Sequence, residues 1–132
     1  MRKDHQEILL VQRAHEPQKG FWDIPGGFCN PTEHPQETLH REVMEELGIT
    51  VDIEKLWNVY APIPYLYQNT IRYNCDVFYL ATLRSGTPTP ADDVAGFQWF
   101  ALSDVPPRNL LAFESGKKAL EELLSSNREG KI

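Results

Sequence analysis

Glu33, Glu37, Glu42, Glu45 and Glu46 crowd into the stretch GGFCNPTEHPQETLHREVMEELGI, residues 26–49. On a helix, positions three and four apart share a face, so Glu42, Glu45 and Glu46 converge on one edge while Leu39, Val43 and Leu47 form the adjoining apolar stripe. That acidic edge is expected to face away from the core. Arg41, next to Glu42 and four before Glu45, can pin a carboxylate by a charge-assisted bond. Like charges this close oppose one another's ionisation unless a cation joins them, which points to a hard divalent metal with oxygen ligands, Mg²⁺ first. The other reading is a solvated helix face with Arg41–Glu45 as a minor surface pair.

The elements that must hold these groups follow from pattern. Glu7–Gln12 (EILLVQ) suits a buried strand, and AHEPQKG after it reads as a loop. Pro35 fits a first helical position and Gly48 the residue past the end, so a helix is predicted over Pro35–Leu47. Strands are predicted over Thr50–Tyr60, Ile71–Leu83 and Phe97–Ala101. APIPYLYQN reads as a Pro-rich connection between the first two of these, and Ser85–Asp93 as a loop. A last helix is predicted over Gly116–Ser125 with Ser115 as N-cap and Leu120, Leu123 and Leu124 as its buried stripe, followed by a frayed tail from Asn127 to Ile132. The alternation of hairpin-length and helix-length connections gives an α/β sandwich with a mixed sheet. If EILLVQ is central in that sheet, Met1–Gln6 is too short and polar to be its partner strand.

At 132 residues and 41% hydrophobic, the chain corresponds to one domain spanning 1–132. It has no apolar run of membrane-spanning length and opens on charged MRKDHQE, so a cytoplasmic protein without membrane contact is expected. Cys29 and Cys75 lack a CxxC companion and read as reduced thiols. A net charge of −6 with no basic stripe argues against nucleic acid as a partner. A phosphorylated small molecule remains open, provided cations stand between carboxylate and phosphate.

Gly27, Glu33, Arg41, Glu42, Val43, Glu45, Glu46, Gly48 and Ile49 match G-x5-E-x7-R-E-U-x-E-E-x-G-U at every specified position, U being bulky and apolar. On this motif the chain resembles a Nudix hydrolase, and LLVQR, GFWDIPGG, DDVAGFQWF and LLAFESGKKAL around it look like the same framework. The resemblance implies a Nudix-type α/β/α sandwich with a mixed β-sheet. It also implies Mg²⁺- or Mn²⁺-dependent attack of water on the diphosphate of a nucleoside diphosphate linked to another moiety. Glu42 and Glu46 are then the leading metal ligands, with Glu45 close behind, Glu33 as a further contact and a backbone carbonyl at Gly26 or Gly27 completing the set. Arg41 holds the helix carboxylates in place. The general base comes either from the motif, at Glu45 or Glu46, or from a later loop. That loop holds Asp92-Asp93 where similar sequences have Asp-Glu, so Asp93 is a candidate base or ligand, and a turn-forming Asp pair is the alternative.

Two departures from the family pattern stand out. His34 replaces the usual Ser or Thr before the helix, which is expected to weaken a capping box with Glu37. The family's usual first strand is missing ahead of DHQEILLV, so the domain reads as truncated there, or its open edge is covered by another segment or by a second subunit, as in a homodimer.

Trp22, Phe28, Tyr65, Tyr67, Tyr73 and Phe113 are candidates for stacking a base, and Arg13 and Arg72 for phosphate, against core or rim packing as the commoner use of such residues. YAPIPYLYQNTIRYNCDVFYLA and LLAFESGKKAL resemble the ADP-ribose and NADH pyrophosphatase subgroup, but an SQPWPF-type signature is absent, so NADH is not favoured over ADP-ribose. The rival readings are a sanitising hydrolase of oxidised nucleoside triphosphates and a non-catalytic nucleotide sensor.

Overall fold

The computed structural model describes residues 1–132, the side chains of Pro62, Ile63 and Tyr65 excepted. Its strands are β1 (Glu7–Arg13), β2 (Trp22–Asp23), β3 (Thr50–Tyr67), β4 (Thr70–Ser85) and β5 (Val94–Ala101), and its helices are α1 (Pro35–Leu47) and α2 (Glu114–Arg128). Antiparallel ladders join β2-β1-β5 in one sheet and β3-β4 in a second. A parallel bridge links Trp22 to Leu111.

β1 explains the layering. Successive side chains on a strand point to opposite faces. Ile8 and Leu10 join Leu120 and Leu123 of α2 in one cluster, whereas Leu9 and Val11 join Val43 and Leu47 of α1 in another. An unbroken apolar run is the sequence form of a strand buried on both faces, here between two helices.

The predicted connection APIPYLYQN is instead the far end of β3. The ladder continues to Tyr67↔Thr70, and Gln68 and Asn69 take positive φ of 48° and 59°, as a two-residue hairpin turn requires. Two features let a Pro-rich segment extend: β3 has a ladder partner on one edge among the described residues, and the register shifts between Tyr60 and Ile63. α2 also differs from its expected bounds. It starts at Glu114 with Phe113 as N-cap and no side-chain cap bond, because the Ser115 hydroxyl donates to Asp76 Oδ2 at 2.6 Å instead. It runs on to Arg128, and Ile132 packs against the core, so the expected frayed tail is held down.

Cys29 and Cys75 are exposed and unpaired with each other. No helix among the described residues is long and apolar enough to cross a membrane.

Candidate active site

α1 occupies the predicted bounds. Gly48 closes it in the left-handed region at φ 67° and donates to the Met44 carbonyl, a geometry that a β-carbon would strain. At the other end the expected weakening of the cap does not occur. His34 Nδ1 accepts the Gln36 N–H at 3.1 Å, and Glu37 Oε1 accepts the His34 N–H at 3.4 Å, so an imidazole nitrogen does the work of a hydroxyl.

Arg41 is the hub of the acidic cluster. Its Nε and Nη2 donate to the two oxygens of Glu33 at 2.8 and 2.9 Å. Nη1 donates to Glu42 Oε1 at 2.8 Å and to Glu45 Oε2 at 3.2 Å, while Nη2 also reaches the Phe28 carbonyl at 3.0 Å. One guanidinium therefore ties the 28–33 loop to the helix, using the fork geometry that a lysine lacks. These carboxylates hold it cationic well above the ordinary guanidinium range, Glu33 contributing most.

Glu33 is correspondingly saturated. Besides Arg41 it accepts from Thr38 Oγ1 at 2.7 Å and from the Asn30 N–H at 3.1 Å. These hydrogen bonds, led by Arg41's, hold its carboxyl down to about 2. In this arrangement Glu33 anchors Arg41, and both its oxygens already have partners.

The expectation that the acidic edge faces solvent is corrected by Glu46, which is 8% exposed. Its Oε2 is buried with no hydrogen-bond partner among the described residues. Burial pushes its carboxyl up to about 8, the charge on Glu42 adds to this, the Gly26 N–H opposes it, and Asp23 and Asp92 contribute further. Glu42 is raised as well, by burial first, against the pull of Arg41. Gly27 explains how backbone covers these groups: a β-carbon there would stand 2.5 Å from Glu42 Oε1 and 2.7 Å from Oε2. The missing side chain lets the chain close over the carboxylate.

The loop before β5 arrives through the end of α1. The Thr89 and Ala91 N–H groups each donate at 2.9 Å, to the Leu47 and Glu46 carbonyls, which would otherwise be orphaned at the helix terminus. Asp92 follows at φ 57°, and its charge raises both Glu42 and Glu46. Asp93, the sequence candidate, is 80% exposed and lies 3.7 Å from His15 Nε2. Of the pair, Asp92 carries the electrostatic contact with the glutamates.

Asp23 was also missed. It sits directly before the Ile-Pro-Gly-Gly turn, takes the Ile24 N–H at 2.8 Å and faces Arg13 Nη1 at 3.3 Å. Burial raises its carboxyl despite Arg13. Its place in WDIPGG was the available signal. Arg13 also donates from Nε to the Pro17 carbonyl at 2.8 Å and lies 4.8 Å over the Phe113 ring, so these two substrate candidates do meet. Trp22 packs edge-on to Phe100 at 5.0 Å and is partly buried against the core cluster. Phe28 is exposed beside the Arg41 anchor. Tyr73 pairs with Pro64 on the outer β3–β4 ribbon, where Arg72 lies 5.6 Å over Tyr67. The Tyr65 side chain lies outside the described residues.

No group of three or more ligating side chains stands ready for a metal among the described residues, since Arg41 engages Glu33, Glu42 and Glu45. The orphaned Glu46 Oε2, the raised Glu42 and Glu46 carboxyls and the cradle at Gly27 nonetheless fit a divalent cation. Each is a local excess of negative charge or acceptor capacity that a cation relieves.

The family model described as NUDIX domain matches residues 1–123. The chain belongs to the NUDIX family. This NUDIX chain is 28% identical over 111 residues to an ADP-ribose pyrophosphatase of Methanocaldococcus jannaschii, covering 84% of itself and 62% of that protein. It thus spans less than two thirds of that relative's length. A crystal structure of a NUDIX hydrolase from Nitrosomonas europaea superposes with a TM-score of 0.81 at 25% identity, over 96% of this chain and 67% of that one. A MutT NUDIX hydrolase from Burkholderia pseudomallei gives 0.74 at 29% identity, over 92% and 89%. The NUDIX fold is what the α1–β1–α2 layering represents.

Proposed function

We propose that this chain is a divalent-metal-dependent pyrophosphohydrolase of nucleoside diphosphates linked to a second moiety, with ADP-ribose as the leading substrate. The observation that carries it is a buried Glu46 oxygen with no hydrogen-bond partner among the described residues, on a carboxyl raised by burial and by the charge of a Glu42 that Arg41 braces. The pyrophosphatase relative supports the choice of ADP-ribose.

Glu46 and Glu42 would hold the cation, Mg²⁺ or Mn²⁺, with Glu45 and a Gly26 or Gly27 carbonyl as further donors and Arg41 fixing the carboxylates' orientation. Such a cation offsets diphosphate charge and acidifies water. Water oxygen forms a bond to one phosphorus while that phosphorus's bond to the bridging oxygen breaks, giving AMP and ribose 5-phosphate. The proton lost by water passes to a carboxylate. Glu45, 45% exposed at the edge of the cluster, is better placed for this than Asp93, which turns toward His15. Arg13 over Phe113 supplies a cationic and aromatic pair for the substrate. Leu66, Tyr67, Ile71 and Tyr73, exposed together on the ribbon, support a homodimer.

The test is release of AMP and ribose 5-phosphate from ADP-ribose with Mg²⁺ or Mn²⁺, beside a panel of oxidised nucleoside triphosphates. Faster turnover of a triphosphate would favour the sanitising reading, and tight ADP-ribose binding without turnover would favour the sensor.

A further inference from the structure

Ser115 and Asp76 make a contact that the proposed reaction leaves unused. Ser115 is buried in the first turn of α2, and its hydroxyl donates to Asp76 Oδ2 at 2.6 Å across 39 residues of sequence. The Asn74 amide nitrogen donates to the other oxygen, Asp76 Oδ1. Alternation along β4 puts Asn74 and Asp76 on one face, the face that carries Leu80 into the α2 cluster. A carboxylate only accepts, so Asp76 gathers both donors and fixes which way the Asn74 amide points.

The contact bears on Phe113, which stands two residues before Ser115 as the N-cap of α2, extended at φ −133° and ψ 150°. Upstream, the Ala112 N–H donates to the Trp22 carbonyl at 2.8 Å; downstream, the Phe113 carbonyl accepts the Lys117 N–H at 3.0 Å. Phe113 makes no side-chain cap bond, and the turn it begins is held to β4 by Ser115 and Asp76. Its exposed ring lies 4.8 Å beneath the Arg13 guanidinium, and Arg13 in turn faces Asp23 at 3.3 Å. The same turn passes close to Asp23, since a β-carbon on Gly116 would lie 4.0 Å from Asp23 Oδ1. The charge of Asp76 reaches Asp23, and that of Asp23 reaches Glu46. The Phe113 and Arg13 pair is thus linked electrostatically to the proposed cation site, and its place depends on where the first turn of α2 is fastened.

We infer that Asp76 and Ser115 are positioning residues for the substrate, fastening the first turn of α2 so that Phe113 and Arg13 present a stacking platform to its nucleobase. A guanidinium over an aromatic ring is a flat surface that stacks on a base and has no equivalent hold on a sugar. Neither Ser115 nor Asp76 touches the ligand in this arrangement. The inference deepens the proposed reaction and rests on it for the identity of the substrate.

Ser115→Ala removes the hydroxyl and leaves a good helix former in the turn. It should raise KM for ADP-ribose about tenfold, the scale of a lost hydrogen bond to a charged group, with kcat changed by less than about twofold. Asp76→Ala should do the same, and the double variant should be no worse than either single one, because all three break one contact. Asp76→Asn should bring KM back to within about twofold of the parent: its carbonyl can accept from Ser115 while its amide donates to a flipped Asn74. A merely structural contact would lower the thermal midpoint without this split of KM from kcat and without this rescue, and that result overturns the inference. If Asp76→Ala fails to fold, Ser115→Ala carries the test. Calorimetric Kd values for AMP and for ribose 5-phosphate, with Mg²⁺, read the platform without turnover. AMP should bind about tenfold more weakly to Ser115→Ala, and ribose 5-phosphate equally to both forms. A parent that binds AMP but does not hydrolyse ADP-ribose defeats the proposed reaction, and the AMP comparison still decides the inference. A parent that does not bind AMP overturns it, as does equal AMP affinity in the two forms or an equal loss for ribose 5-phosphate.

Discussion

The Glu42 carboxylate and Gly27 approach so closely that any β-carbon at position 27 would come within 2.5 Å of Glu42 Oε1. The glycine and the glutamate are thus one device, in which the loop backbone covers the helix carboxylates without displacing them. Gly27→Ala should push Glu42 out of place and reduce kcat by about 10–100-fold, the usual scale for disturbing groups around a metal. Kinetics with titrated Mg²⁺ check it, with a weaker apparent metal affinity expected alongside.

Glu46→Gln should abolish turnover, by about a thousandfold or more, while leaving the fold intact, since in the proposed reaction it removes a group that would hold the cation. Retained activity in a folded variant would refute the metal assignment. The same variant tests the buried charge. With the folded carboxyl raised to about 8 and the unfolded one near its ordinary value of 4.5, the folded state binds more protons between those limits. Stability from Glu46 is therefore fully present below about 4.5 and lost as pH rises through about 8. In EDTA, denaturant titrations should show the parent losing stability relative to Glu46→Gln across that window.

Mg²⁺ should reverse that loss. A cation bound at 100 times its Kd stabilises by about 2.7 kcal/mol. Thermal midpoints with and without Mg²⁺ at pH 8 should separate for the parent and coincide for Glu46→Gln.

Arg41→Lys keeps the charge but loses the fork that spans Glu33, Glu42, Glu45 and the Phe28 carbonyl. Activity should fall at least tenfold, and amide exchange at Asn30, whose N–H is held by Glu33, should accelerate. An unchanged exchange rate would mean the loop is held by other contacts.

Asp92→Asn should move the acid limb of the kcat/KM profile to lower pH, because removing a like charge eases ionisation of Glu42 and Glu46. Asp93→Asn should leave that limb in place. A shift with Asp93 and none with Asp92 would return the role to the sequence candidate.

Much of the site was legible in the residues because it is local. Proline at the start and glycine past the end bounded α1, and helical spacing put Glu42, Glu45 and Glu46 on one edge. The continuous apolar run of β1 announced a strand covered on both faces. These features depend on chain geometry within a few residues, which sequence order carries directly.

Long-range contacts decided the rest. Glu33 as the anchor of Arg41, Asp92 rather than Asp93 in electrostatic contact with the glutamates, Ser115 bonded to Asp76 and Trp22 packed against the core each depend on partners that no spacing rule specifies. The burial of Glu46 belongs with them, because a helix pattern assigns a face and only the arriving loop determines whether water reaches it. The sequence by itself determined which acids share an edge. Tertiary structure decided which of them is dry, and desolvation is what makes that one chemically distinct.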